Sequence, residues 1–185
     1  MSKLWNNVYF QRFRSGLVYV FLNTLVNHFP CWTVRKFFYR ICGIRIGKGA
    51  RIGLFTVIDH PKGIVIGDRT IINENCYLDG RGGCIIGNDT SISIYSKIVT
   101  ASHRLSSSSF EYYRSPVVIG NNVWTGIGAI VLDGSNISDR AVIGAGTIIK
   151  GFVRENCVII GNHVREERER NLTQDYELFY KPFFR

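Results

Sequence analysis

Aliphatic residues recur at every sixth position through the middle of this chain, and no other feature limits its fold so tightly. Ile46, Ile52 and Ile58 form one group, Ile66, Ile72 and Leu78 a second, and Ile86, Ile92 and Ile98 a third. After a gap, Ile119, Val131, Ile137, Ile143 and Ile149 continue the series, with Thr125 breaking it. Four residues beyond the aliphatics stand compact side chains: Ala50, Thr56, Thr70, Cys76, Thr90, Ser96, Val123, Ala129, Ser135, Ala141 and Thr147. An amphipathic helix repeats near 3.6 residues and a half-buried strand every second residue, so neither sustains a period of six. A solenoid of short parallel strands does. Each hexapeptide supplies one strand and one turn, the aliphatic points inward, and Gly with Asn or Asp ("IGDR", "IGND", "IGNN") accepts the turn's backbone angles. Three hexapeptides close a triangular coil.

The groups begin at Ile46, Ile66 and Ile86, two residues further apart than three plain hexapeptides require, and the excess falls at one corner, in "DHPKG" and again in "DGRGG". At that same corner of the next coil the chain inserts a much longer segment, because Ile98 and Ile119 are 21 residues apart. About five coils follow, over 46–65, 66–85, 86–118, 119–136 and 137–154. The insertion, residues 100–118, carries His103 and a serine run from Ser106 to Ser109. The predicted division is a helical region at 1–43, a solenoid at 44–155 and a C-terminal segment at 156–185, whose alternating acids and bases suit a short solvated helix.

Charge is unevenly spread. The net +9 resides wholly in residues 1–51, which hold nine Lys and Arg and no acid; the first acidic residue is Asp59. Those residues also include Trp5, Tyr9, Phe10, Phe13, Tyr19, Phe21, Phe29, Trp32, Phe37, Phe38 and Tyr39. Two roles fit this composition: helices capping the open edge of the first coil, and an aromatic, basic surface for an anionic bilayer through residues 1–40. No helix-turn-helix, zinc-finger or RNA-binding signature accompanies the charge, which argues against nucleic acid. The apolar stretch Gly16–Leu22 is too short to span a bilayer and no secretory cleavage site follows it. Five cysteines without a CxxC pair indicate neither a disulfide framework nor a zinc knuckle and suit a reducing cytoplasm, with peripheral contact at the inner membrane face.

The repeat, together with "VTASHR", "SPVVIGNNVWTGIGAIVL" and "AVIGAGTIIKGFVRENCVIIGNHVR", resembles the hexapeptide-repeat acyltransferases, and within them the maltose/galactoside and polysaccharide O-acetyltransferase branch. The resemblance covers about residues 40–170. It implies a left-handed parallel β-helix, acetyl-CoA as acyl donor without a metal, a homotrimer with active sites between subunits, and a sugar hydroxyl as acceptor in surface polysaccharide biosynthesis. By resemblance His103 is the catalytic base, Asn75 and Trp124 lie on the acceptor side, and Gly126, Ala145, Thr147, Lys150 and Arg165 fall where CoA is held. The chain departs from the pattern after the histidine, where "HRLSSSSF" lacks the proline and further histidines of many sugar acetyltransferases.

The chemistry suits the assignment. A neutral hydroxyl attacking a thioester must lose its proton as it attacks, and a histidine titrating near neutrality can take that proton and return it to the departing thiol. The tetrahedral oxyanion needs donors, for which Gly-rich turns, Ser102 and Asn75 are candidates. Asn75 is equally suited to a left-handed coil turn, and Asp79 to capping a corner, orienting His103 or binding a sugar hydroxyl. Trp124, bulky at an outward position, is expected to pack on the insertion. Serine or an amino sugar is the alternative acceptor. A γ-carbonic-anhydrase-like metal enzyme needs three convergent histidines, whereas only His60 and His103 lie in the coil region.

Overall fold

The computed structural model describes residues 8–104, 109–161 and 166–169. Helix α1 (Val8–Val20) runs without a break into a wider π turn at Phe21–Leu25 and a 3₁₀ turn at Val26–His28. Phe29 then turns extended, as the residue before a proline prefers, and Pro30 separates this stretch from helix α2 (Trp32–Ile41). Helix α2 ends where Gly43 adopts φ 110°: its N–H bonds Arg40 O, and that of Ile44 bonds Tyr39 O.

From Arg45 onward the chain winds into three parallel sheets. Sheet A stacks Arg45–Ile46, Ile64–Ile66, Cys84–Ile86, Val117–Ile119, Asn136–Ile137 and Phe152–Val153. Sheet B stacks Arg51–Ile52, Ile71–Ile72, Ser91–Ile92, Trp124–Thr125, Val142–Ile143 and Cys157–Ile160; sheet C stacks Val57–Asp59, Tyr77–Asp79, Lys97–Ile98, Ile130–Val131 and Ile148–Ile149. The expected coils are therefore present as five complete turns, and the parallel ladder runs past residue 155 into two sides of a sixth, ending at Ile160.

Register follows the repeat. Ile46, Ile66, Ile86, Ile119, Ile137 and Val153 are successive partners in sheet A, and Ile52, Ile72, Ile92, Thr125, Ile143 and Ile159 in sheet B. Ile58, Leu78, Ile98, Val131 and Ile149 complete the interior in sheet C. All are buried, and each buried aliphatic contributes about 2 kcal/mol through the hydrophobic effect. The compact side chains at the corners are buried as well, where three sheets converge and leave room for little else. Thr125 keeps its place in the column by bonding polar neighbours, Ser93 N–H donating to its Oγ1 at 3.3 Å.

The A–B corner carries a ladder that the turn motifs alone do not disclose. Lys48 N–H donates to Asp68 Oδ1, Asp68 N–H to Asn88 Oδ1, Asn88 N–H to Asn121 Oδ1, and Asn121 N–H to Asp139 Oδ1, all at 2.7–2.8 Å. Each Asn or Asp thus caps the coil below it.

The first coil has no coil beneath, so carbonyls that would be paired elsewhere face outward, those of Ile46, Ile52, Thr56 and Ile58 among them, and Asn27 Nδ2 donates to Thr56 O at 3.5 Å. The helical segment supplies their donors. Arg40 Nη2 donates to Ile46 O, Arg35 Nη2 to Ile52 O at 2.9 Å, and Asn23 Nδ2 to Ile58 O at 2.9 Å, while Asn23 Oδ1 accepts from Ile58 N–H at 2.8 Å. Arg35 is wholly buried and also donates to Phe29 O and Pro30 O. Capping is therefore what helix α2 and the turns after α1 do for the fold, and part of the basic excess is spent on it.

At the far end Glu166–Glu169 pairs antiparallel with Cys157–Ile160. This stretch was expected to begin a C-terminal helix; the open edge of sheet B instead recruits it as a strand, since an unpaired ladder is a stronger template than a marginal isolated helix. Residues 170–185 lie outside the described residues, as does His163.

Candidate active site

The arm leaves the C–A corner of the third coil as a hairpin, Ala101–His103 pairing antiparallel with Tyr112–Arg114 so that His103 faces Tyr112. Its base is pinned by Asp79. That carboxylate is fully buried; Oδ2 accepts from Thr100 N–H at 2.9 Å, and both oxygens receive the Arg81 guanidinium at 2.9 Å. Thr100 Oγ1 closes the knot, donating to Asp79 O and accepting from Gly82 N–H. Gly82 is required here because a Cβ would stand 2.5 Å from Thr100 O and 3.0 Å from Ser115 N, where the two arm strands cross over it. Burial raises the Asp79 carboxyl's pKa, but the Arg81 and Thr100 hydrogen bonds outweigh it and leave it below the ordinary value.

His103 is held in one orientation. Nδ1 lies 2.8 Å from Phe110 O, and a carbonyl can only accept, so the Nδ1 proton is fixed and Nε2 presents its lone pair. The ring stacks on Phe110 at 3.7 Å and meets the Tyr112 ring edge-on at 5.5 Å. Phe110 turns back through φ 53° to bring its carbonyl under the imidazole. Ser106–Ser108 lie outside the described residues.

The remaining sequence candidates fall on other parts of the triangle. Asn75 occupies the B–C corner at φ 57°, in a column with Phe55, Tyr95, Gly128 and Gly146, and its N–H bonds Leu54 O. Trp124 is half exposed on sheet B; its Nε1 donates to Ser93 Oγ at 3.2 Å. The expected packing of Trp124 on the insertion is not what forms, because sheet B lies away from the corner that bears the arm. Asp79 does not meet His103 either; its oxygens are occupied at the arm's base.

In the last coils the B–C corner changes character. Phe55, Asn75 and Tyr95 give way to Gly128 and Gly146, and a Cβ at either would meet nothing within 4 Å. Bare backbone beside exposed Ala145 and Ile127 leaves this edge of the solenoid open for a ligand to lie against. Gly126 lies buried under this corner, where a Cβ would stand 2.5 Å from Ala145 N. Thr147 is wholly buried: its hydroxyl accepts from Gly161 N–H, its own N–H bonds Gly144 O and its carbonyl accepts from Ile130 N–H, so it presents nothing to a ligand within one chain. Lys150, expected to meet phosphate, instead donates to Asp133 at 3.2 Å and to Tyr113 Oη at 3.3 Å, tying the arm to the fifth coil. Arg165 lies outside the described residues.

Sequence reasoning missed Phe110, Tyr112, Arg81 and Arg114, which shape the arm. The signal for Phe110, Tyr112 and Arg114 was the stretch "FEYYR", which becomes meaningful once a hairpin register is known, and that for Arg81 was its place in the widened corner "DGRGG". Among the described residues no group of three His, Cys, Asp or Glu side chains is placed to hold a metal ion.

No family model matches the chain. It is 31% identical over 140 residues to WcaF of Escherichia coli K12, a candidate colanic acid biosynthesis acetyltransferase, covering 76% of this chain and 77% of that protein. The maltose O-acetyltransferase of Clostridium difficile 630 superposes with a TM-score of 0.78 at 26% identity over 85% of this chain and 86% of that one. A hexapeptide-repeat acetyltransferase of Vibrio cholerae, solved with acetyl-CoA, shares the fold with a TM-score of 0.74, 24% identity and 92% coverage of each chain.

Proposed function

Because this chain belongs to the hexapeptide-repeat acetyltransferases, we propose that it carries an acetyl group from acetyl-CoA to a sugar hydroxyl in surface polysaccharide biosynthesis, with His103 as general base. The observation that carries the assignment is the Nδ1 bond to Phe110 O, which leaves Nε2 able to accept a proton. The acceptor O–H gives its proton to Nε2 as its oxygen bonds the thioester carbonyl carbon. The carbon–sulfur bond then breaks, and the thiolate takes the proton back from the imidazolium. Acetyl-CoA is a substrate, and the bare corner at Gly128 and Gly146, beside Ala145, suits its extended arm.

The site needs a second copy of the chain. His103 projects from the C–A corner, whereas Asn75, Gly126 and Ala145 border the B–C corner of the same triangle and Trp124 lies on sheet B, across that corner from sheet C. A homotrimer that sets one subunit's B–C edge against the neighbour's arm unites them.

Residues 1–40 suit peripheral contact with an anionic bilayer as well as capping. Phe13, Leu17, Val20 and Leu25 are exposed along α1 and its continuation, Phe37 and Ile41 along α2, with Arg12 and Arg14 beside them. No helix among the described residues is long and apolar enough to cross a membrane. The test is vesicle co-sedimentation of the intact chain and of a Phe13→Gln, Leu17→Gln variant; truncation would confound it by removing the caps.

Thiol release from acetyl-CoA in the presence of glycosides, nucleotide sugars, amino sugars or serine tests the activity. Release dependent on sugar hydroxyls and lost in His103→Ala supports the assignment. Serine- or amine-dependent release alone would replace the acceptor, and full activity in His103→Ala would remove the base.

A further inference from the structure

Helix α1 supplies none of the caps, and it borders a groove instead. Where it crosses the C–A corner of the first coils it leaves a cavity of ≈ 610 Å³, lined on the helix by Arg12, Arg14 and Tyr19 and on the solenoid side by Asp59, His60 and the arm residue Arg114. A smaller compartment of ≈ 240 Å³ adjoins it through Arg14 and His60, with Val18 and Pro61 among its walls. The combined space is the size of a site for a mono- or disaccharide.

The charge of this groove is one-sided. Its acid, Asp59, is already engaged: Oδ1 lies 2.7 Å from His60 Nδ1, while Oδ2 accepts from Tyr77 Oη at 3.2 Å and lies 3.3 Å from Arg81 Nε. That contact places a proton on His60 Nδ1. Arg12, Arg14 and Arg114 have no acidic partner among the described residues; Arg114 Nη1 reaches only Arg81 O at 3.5 Å, and its guanidinium lies over the Tyr112 ring. Three guanidiniums without a described acidic partner thus line one concavity, and a planar fork of donors matches a carboxylate or phosphate.

The groove also adjoins the reacting ring. Arg114 and His103 are on the two strands of one hairpin, and Tyr112 lies between them, 5.5 Å from the Arg114 carbon on one side and 5.5 Å from the imidazole centroid on the other. A sugar ring laid beside Tyr112 spans the distance from groove to base.

We propose that this groove is an acceptor subsite for an oxyanion carried by the glycan, a carboxylate or a phosphate, bound by Arg12, Arg14 and Arg114 beside His60. The proposal rests on the acetyltransferase assignment for its meaning but not for its binding chemistry. An anionic group seated here orients the acceptor so that a hydroxyl one sugar ring away meets Nε2 of His103.

Calorimetry on the intact protein with three probes tests it: methyl glucuronoside, glucose 1-phosphate and methyl glucoside. At least one charged probe binds about tenfold tighter than the neutral one, and added salt erodes the difference. Whichever charged probe wins identifies the source of the oxyanion. Arg14→Gln and Arg114→Gln each remove most of that advantage, raise KM for the charged acceptor more than they change kcat, and leave the melting midpoint in place. Equal binding of charged and neutral probes, absence of binding by all three, or an equal loss for both kinds in the arginine variants overturns the subsite. Failure of the two assignments is distinguishable: transfer to neutral and charged sugars alike sinks the groove alone, whereas selective anion binding without thiol release sinks the acetyltransferase assignment alone.

Discussion

In the proposed reaction His103 takes its role from a main-chain atom, since the Phe110 carbonyl engages Nδ1 and leaves Nε2 as the nitrogen that would act as base. His103→Ala is expected to lower kcat by about 10²- to 10⁴-fold with little change in thermal stability, measured as thiol release against a melting curve. The cysteines make a second prediction at this scale. Burial pushes the thiols of Cys76 and Cys84 up to about 12, while backbone hydrogen bonds from Val34 and Thr33 lower that of exposed Cys31. A thiol reagent at neutral pH should therefore label Cys31 first and spare Cys76 and Cys84 until the coil unfolds, as peptide mapping would show. His103 itself was legible in the chain because it stands in the one place where the six-residue rhythm stops. The atom that orients its ring was not, since Phe110 contributes a carbonyl and any residue has one.

At the scale of elements the arm and the caps differ in how they are anchored. The arm depends on a single buried carboxylate, so Asp79→Ala should destabilise the protein by about 3 kcal/mol and lower activity by loosening the hairpin. The sign with pH is fixed: the unfolded carboxyl titrates near ~4 and the folded one below it, so this contribution is complete above that value and disappears as pH falls through the lowered one. Hydrogen exchange at Thr100 N–H, measured downward from neutral pH, should stay slow until that point. The caps spread their load over several carbonyls, and Asn23→Ala should cost about 1–3 kcal/mol by chemical denaturation. Period six revealed the coils, their register and the corner that widens. It could not reveal the caps, because Asn23, Arg35 and Arg40 meet their partners across the fold and share no period, nor the final strand, whose charge alternation reads equally as a solvated helix surface.

For the whole molecule the separation of His103 from the B–C edge makes a prediction that no single chain can satisfy. His103→Ala and Asn75→Ala chains, each impaired alone, should recover activity when refolded together, because about a quarter of the interfaces in a random mixture then pair an intact histidine with an intact asparagine. Turnover of the mixture compared with each parent measures it, and a mixture no more active than its parents would place the whole site within one subunit.

The side chains on the first coil's carbonyls have a final consequence. A parallel β-solenoid is in principle an unlimited polymer, since each coil is a template for the next and two molecules could join end to end into a filament. Asn23, Arg35 and Arg40 act as chain terminators at one end, filling the positions that another molecule's backbone would need. Growth along the axis is closed at that end, which leaves the flanks for association, and the flanks are where the corners, the arm and the bare backbone of Gly128 and Gly146 lie.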